Sequence, residues 1–234
     1  MALYDRDYSR SAEPSIGGYA QHSELENVEL VKKTYQYFAA SLLAGGFGAY
    51  AGVNVIGVQT LIEFRWFIFI PWMLFGMFGL PMLQKNQSIA TVGLFIFTFV
   101  GGLVLTPLIG MVMAKGGGAT VGNAFLLASV MFGGLSLFAI NSETDFTQYG
   151  KPLMIAFGIV FIGSILNIIF FNSPIIAVLI SGVVLMISAF FVLMDTQNII
   201  EGAYETPTMG ALALYLNFFN MFQSLLVLLG IMDD

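Results

Sequence analysis

Between Ile175 and Met194 the chain runs for about twenty residues without a charged side chain, and it then meets Asp195. A stretch of that length spans the roughly 30 Å of bilayer hydrocarbon as a helix. The continuation Asp195-Thr196-Gln197-Asn198-Ile199-Ile200 puts the carboxyl at or just inside the membrane boundary. An acid at the centre of a membrane helix costs about 2.5–3.5 kcal/mol on insertion scales, and such residues often mark ion or proton pathways. A helix ending near Met194, with Asp195 wetted by headgroups, is the other reading of the same position.

Composition settles the class. The chain is 58% hydrophobic and 9% charged, whereas a soluble domain carries about 25% charged residues. Too little polar surface is available to cover a soluble fold, so the sequence reads as all-α: a polytopic membrane helix bundle whose chief partner is the lipid bilayer. A net charge of −6 with no basic cluster excludes a nucleic-acid partner. There is no Cys, and the single His, His22, lies in the polar N-terminal segment. Histidine- or thiolate-held metals and nucleophile–histidine pairs are therefore absent from the hydrophobic segments. Aspartyl proteolysis within the membrane needs two aspartates, and the hydrophobic segments offer Asp195 alone. The sequence accordingly assigns no catalytic residue, no metal ligand and no cofactor, and it reads as a protein other than an enzyme.

Residues 1–30 are polar and acidic and lack the basic start and immediate apolar stretch of a cleavable signal. They read as a flexible acidic cytoplasmic tail ahead of an integral membrane domain, 31–234. Seven hydrophobic segments follow, at about 34–56, 59–83, 88–114, 119–140, 153–171, 174–199 and 207–230. Lys85-Asn86-Gln87 and Lys115-Gly116-Gly117-Gly118 separate the second, third and fourth, and 141–152 separates the fourth and fifth. Asn172-Ser173-Pro174 supplies an N-cap and a first-turn proline for the sixth. With the N-terminus inside, the inner segments hold Arg6, Arg10, Lys32, Lys33, Lys85 and Lys151, and the outer ones only Arg65 and Lys115. That bias predicts a cytoplasmic N-terminus.

In the last segment Gly210, Ala213, Asn217, Asn220 and Ser224 recur at spacings of three and four, so they share a helix face. A small and polar stripe in a membrane helix serves close packing and interhelical hydrogen bonding, or lines a wet path. Ser164 and Asn167 make a similar spot on the fifth segment. Gly45-Gly46-Phe47-Gly48, Gly101-Gly102 and Gly133-Gly134 lie inside apolar segments and read as close helix contacts rather than phosphate loops. Arg65, beside Glu63 and Trp66, is a possible latch toward Asp195 or an interfacial arginine anchored by Trp66, and the topology puts it at the face opposite Asp195.

The pieces Thr144-Asp145-Phe146-Thr147, then Met194-Asp195-Thr196-Gln197, then Ala213-Leu214-Tyr215-Leu216-Asn217-Phe218-Phe219-Asn220-Met221-Phe222 occur in that order. With Val31-Lys32-Lys33-Thr34-Tyr35 before the first segment, they resemble the Bax inhibitor-1 family over nearly all of the chain after about residue 25. The acidic C-terminus is similar to its bacterial branch. The resemblance implies a seven-helix inner-membrane protein with the last helix near the centre of the bundle. It also implies a pH-sensitive calcium leak, sensed by paired aspartates on the sixth and seventh helices. Asp195 matches the first of that pair; the second falls on Asn217, which is not an acid. Two close carboxylates share a proton because both cannot ionise comfortably in a dry site, so this chain is expected to sense pH weakly. Asp195, Asn217 and Asn220, with Gln197 and Ser224, would offer oxygens to a passing Ca²⁺. As an alternative, some bacterial relatives are described as substrates and modulators of a membrane-bound AAA protease, and the N-terminal tail would fit that role.

Overall fold

A computed structural model describes the backbone of residues 16–232 and the side chains of 27–230. The elements are α1 (Ile16–Ala51), α2 (Val58–Glu63), α3 (Arg65–Leu74), α4 (Leu80–Leu83), α5 (Gln87–Asn141), α6 (Gly150–Leu166), α7 (Pro174–Ile200) and α8 (Pro207–Met232). Wider π-turns follow α1, α3 and α6, at Gly52–Ile56, Phe75–Gly79 and Asn167–Phe171. Among the described residues six helices are long and apolar enough to cross a membrane, and no strand forms. Each of the seven hydrophobic segments falls within this helical set.

α5 accounts for two of those segments. At 55 residues a straight helix would run about 80 Å, more than twice the bilayer core. It turns back at Gly117, whose φ of 73° and ψ of −177° belong to a region open essentially to glycine alone. The reversal is visible in the packing. Tyr37 and Phe38, neighbours on α1, touch Phe95 before the turn and Phe132 after it. Before Gly117 the helix runs with α1, Gly48 lying on Phe99 and Gly52 on Thr106. After it the helix runs against α8: Phe218 touches Phe132 and Phe125, and Phe222 touches Phe125.

Two expectations change here. The helix expected over 59–83 is interrupted at Phe64 and at the π-turn Phe75–Gly79, one turn after Pro71. Proline lacks the N–H that the preceding turn would receive, which loosens the ladder there. In addition, α1 begins at Ile16, so the second half of the stretch read as a flexible tail is helix; residues 1–15 lie outside the described region. Glu and Leu in Ser23-Glu24-Leu25-Glu26-Asn27-Val28-Glu29-Leu30 are good helix formers, and Glu29 pairs with Lys33 one turn on at 2.7 Å.

α8 packs against α1, α5 and α7. Leu214, Met221 and Leu226 are fully buried and Phe218 and Leu225 nearly so, which places the last helix at the centre of the bundle. α6 lies outside, against α7. Glycines set the tightest contact: a Cβ on Gly48 would overlap the Phe99 carbonyl, and one on Gly102 the Gly45 carbonyl, so α1 and the first half of α5 meet backbone to backbone. Gly133 and Gly134 behave differently, since a Cβ on either would meet nothing; the close contact expected there is not made.

The end of the bundle at which Asn27 lies, called here the near end, gathers the 84–87 turn, the 142–149 loop and the α7–α8 connection. Asn27 donates to the Ile200 carbonyl at 2.7 Å, Thr206 Oγ1 to Gln84 Oε1 at 2.7 Å, and Gln87 to Thr208. Lys32, Lys33, Lys85 and Lys151 belong to this end. Arg65 and Lys115 belong to the far end, with Gly57, Gly117 and the Asn172-Ser173 turn.

Candidate functional site

α7 carries Asp195 into the near half of the bundle, where its residue is 5% exposed. α8 runs antiparallel beside it and presents Asn217, whose Nδ2 donates to Asp195 Oδ2 at 2.7 Å. The other carboxylate oxygen, Oδ1, accepts the Tyr204 hydroxyl at 2.7 Å. Each oxygen thus has a neutral donor, and Asn198 adds a further side-chain contact. Charge-assisted bonds of this kind are roughly twice as strong as neutral ones, which is how a carboxylate is kept inside a membrane bundle. Among the described residues no second carboxylate takes part. Among the described residues no group of three acids or histidines is placed to hold a metal ion.

The rest of the Asp195-Thr196-Gln197 motif ties neighbouring elements to this point. Thr196 Oγ1 shares a hydrogen bond with Ser136 Oγ of α5 at 3.2 Å. Gln197 Oε1 accepts the Phe146 N–H at 2.7 Å, while its Nε2 donates to the Thr144 carbonyl at 2.8 Å and the Ala139 carbonyl at 3.4 Å. Three consecutive residues therefore face α8, α5 and the 142–149 loop in turn. That loop is turned by Asp145, whose Oδ1 accepts the Thr147 N–H at 2.8 Å and its hydroxyl at 2.5 Å. The Thr147 hydroxyl and N–H hold the Asp145 carboxyl below the usual carboxylate range.

Of the residues singled out in the sequence, the structure brings Asp195 and Asn217 together. It does not bring Asn220 to them. One turn further along α8, Asn220 is rotated away and half-exposed, on a strip with Leu212, Leu216, Gln223 and Val227 that neighbouring helices cover incompletely. Arg65 is also elsewhere. It is exposed at the far end, with its guanidinium 5.8 Å from the centre of the Trp66 ring and Nη1 donating to the Ile62 carbonyl at 3.4 Å. A latch onto Asp195 would have to cross the bundle, so the interfacial, Trp66-anchored arrangement is the one that forms. Ser224 is buried, and Asn167 seals the far-end turn, Nδ2 donating to the Ser173 carbonyl and Oδ1 accepting the Ser173 N–H.

Tyr204 is the site residue that periodicity does not find. It lies in the irregular 201–206 connection, where no helical spacing assigns a direction to a side chain. Sequence held one signal only, a lone aromatic among Glu201, Gly202 and Glu205. The hydroxyls of Thr34, Ser41 and Ser188 are buried without a hydrogen-bond partner, Thr34 beside Gly210 and Ile199 on the near-end side of Asp195. Ser188 is two turns before Asp195 on the same face of α7. Leaving such a group unpaired costs about 1–3 kcal/mol, and bound water is the usual remedy.

Several known proteins are similar in sequence to this chain. An uncharacterised protein of Campylobacter jejuni is 44% identical over 238 residues, covering 98% of this chain and 97% of its own. One of Helicobacter pylori is 38% identical over 237 residues, covering 100% and 99%. The Escherichia coli protein described as modulator of FtsH protease YccA is 31% identical over 160 residues, 67% of this chain and 73% of that protein. The model of the family described as inhibitor of apoptosis-promoting Bax1 matches residues 28–234. Nearly the whole membrane domain is matched, motifs and all: the chain belongs to the Bax inhibitor-1 family.

Proposed function

We propose that this membrane protein regulates a membrane-bound AAA protease in the bacterial inner membrane, with its near end facing the cytoplasm. The observation that carries the reading is the state of Asp195, held on both oxygens by neutral donors with no second acid among the described residues to share a proton. A bundle tied at that point is suited to a fixed, partner-facing near end better than to a proton-driven opening. The Escherichia coli relative's description as a modulator of FtsH protease supports the same reading. The test is the half-life of a membrane substrate of the host's AAA protease, with this protein deleted, native or overproduced, alongside co-purification of the two proteins from detergent. Slower turnover on overproduction and recovery of a complex are expected. Unchanged half-lives and no complex would remove the proposal.

A second reading is favoured by the unpartnered hydroxyls of Ser41 and Ser188, buried places for interior water. On this reading the protein is a calcium or cation leak with weakened pH sensing, using Asp195, Asn217 and Asn220. Flux of Ca²⁺ into proteoliposomes, with pH varied separately, tests it. Flux that disappears in Asp195→Leu supports a leak, and its absence from the native protein under every condition removes it.

A further inference from the structure

The α7–α8 connection does more than join two helices. It turns at Gly202, with φ of 73°, and is held at both ends, by Asn27 on the Ile200 carbonyl and by Thr206 on Gln84. Between these fixed points Glu201, Gly202, Ala203 and Glu205 are exposed, and Tyr204 alone packs into the core. Its hydroxyl reaches Asp195 Oδ1 from the near end, while Asn217 reaches Oδ2 from α8. Beyond that contact lie the unpartnered hydroxyls of Ser188 and Ser41.

We propose that the Glu201–Thr206 connection is a strap and Tyr204 its lid residue, which by seating its phenol on Asp195 separates near-end water from the polar interior of the bundle. Asn217 stands where the second carboxylate would, and Tyr204 adds a donor on the other oxygen. Closure then depends on a loop contact instead of a shared proton. Burial, with the Asp195 carboxylate beside it, pushes the Tyr204 phenol well above its ordinary range, so it remains a donor at any physiological pH. The phenol acts by position and does not exchange its proton. The strap's exposed outer side gives a cytoplasmic partner something to move, and its closure acts on water whether or not ions flow.

The absence of cysteine makes the test direct. Ser188→Cys places a thiol of nearly the same size behind the lid, and Ser181→Cys does so nearer the far end of α7. Membranes with the near end exposed are treated with a small membrane-impermeant methanethiosulfonate. With Tyr204 intact the Ser188→Cys thiol should stay unreactive. Adding Tyr204→Phe, which keeps the ring and loses the donor, should speed modification about threefold. Adding Tyr204→Ala, which loses both, should speed it at least tenfold. In both, Ser181→Cys should react as before, and Glu205→Gln should leave every rate unchanged. Thermal unfolding confirms folding, and where Tyr204→Ala does not fold the Tyr204→Phe rate decides. A Ser188→Cys thiol that already reacts with Tyr204 in place, that is indifferent to Tyr204, or whose gain is matched at Ser181→Cys would overturn the lid.

Discussion

Asp195 and Asn217 show how a single atom decides what a buried pair can do. An amide donates where a carboxylate would repel, so the present pair is attractive at any pH at which Asp195 is charged. Asn217→Asp reverses the sign. Two unit charges about 4 Å apart repel by roughly 4 kcal/mol at an effective dielectric near 20, and binding one proton relieves this. The folded variant would hold a proton that its unfolded chain releases at neutral pH, so its stability should fall as pH rises. Its unfolding temperature is expected to be several degrees lower at pH 8 than at pH 5, a larger difference than the native protein's; a variant no more pH-dependent than the native protein would contradict the repulsion. The meeting of Asp195 with Asn217 was what the family resemblance implied, and the polar face of the last segment agreed with it. Tyr204 was not legible, because the path of an irregular connection is set by what it packs on.

Elements of this fold are held by short polar ties at the near end and by close glycine contact in the middle. Gln197 is the busiest tie. Its replacement by Leu leaves the Phe146 N–H without its acceptor and frees the 142–149 loop, for a loss of about 1–3 kcal/mol. Faster hydrogen exchange across that loop, with α1 and α8 unchanged, is the expected sign. At the glycine seam Gly102→Leu must push α1 away from α5, and overpacking of this kind costs about 1–3 kcal/mol or more. Gly46→Ala, where a Cβ meets nothing, should change the unfolding temperature little. Glycine clusters in the sequence marked candidate contacts without saying which were used. Gly48 and Gly102 face a neighbouring backbone and Gly133 and Gly134 do not, because helix rotation in the bundle, absent from a hydropathy profile, decides it. The Gly117 reversal was readable, since three successive glycines after a lysine interrupt a hydrophobic run far too long for one crossing.

For the whole molecule the asymmetry between the ends matters most. Lys32, Lys33, Lys85 and Lys151 gather at the near end, against Arg65 and Lys115 at the other, and loops at the basic end are the ones retained in the cytoplasm. An impermeant thiol reagent applied to intact cells should therefore label Gln59→Cys and spare Gln148→Cys; the reverse pattern would invert the orientation. Membership of the helical class followed from composition and the length of the apolar runs, and the central position of α8 from the family resemblance; its packing on α1, α5 and α7 is what produces it. The seam between α1 and α5 also has a consequence for how the molecule is made. Gly48 and Gly52 find their partners at Phe99 and Thr106, yet the ribosome delivers the whole of α2, α3 and α4 in between. The first helix enters the bilayer with its glycine groove empty and must wait there until residue 106 has been synthesised and inserted. During that interval the groove is open to any other helix passing through the translocon, so assembly should be most vulnerable to a chaperone or a competitor between these two events.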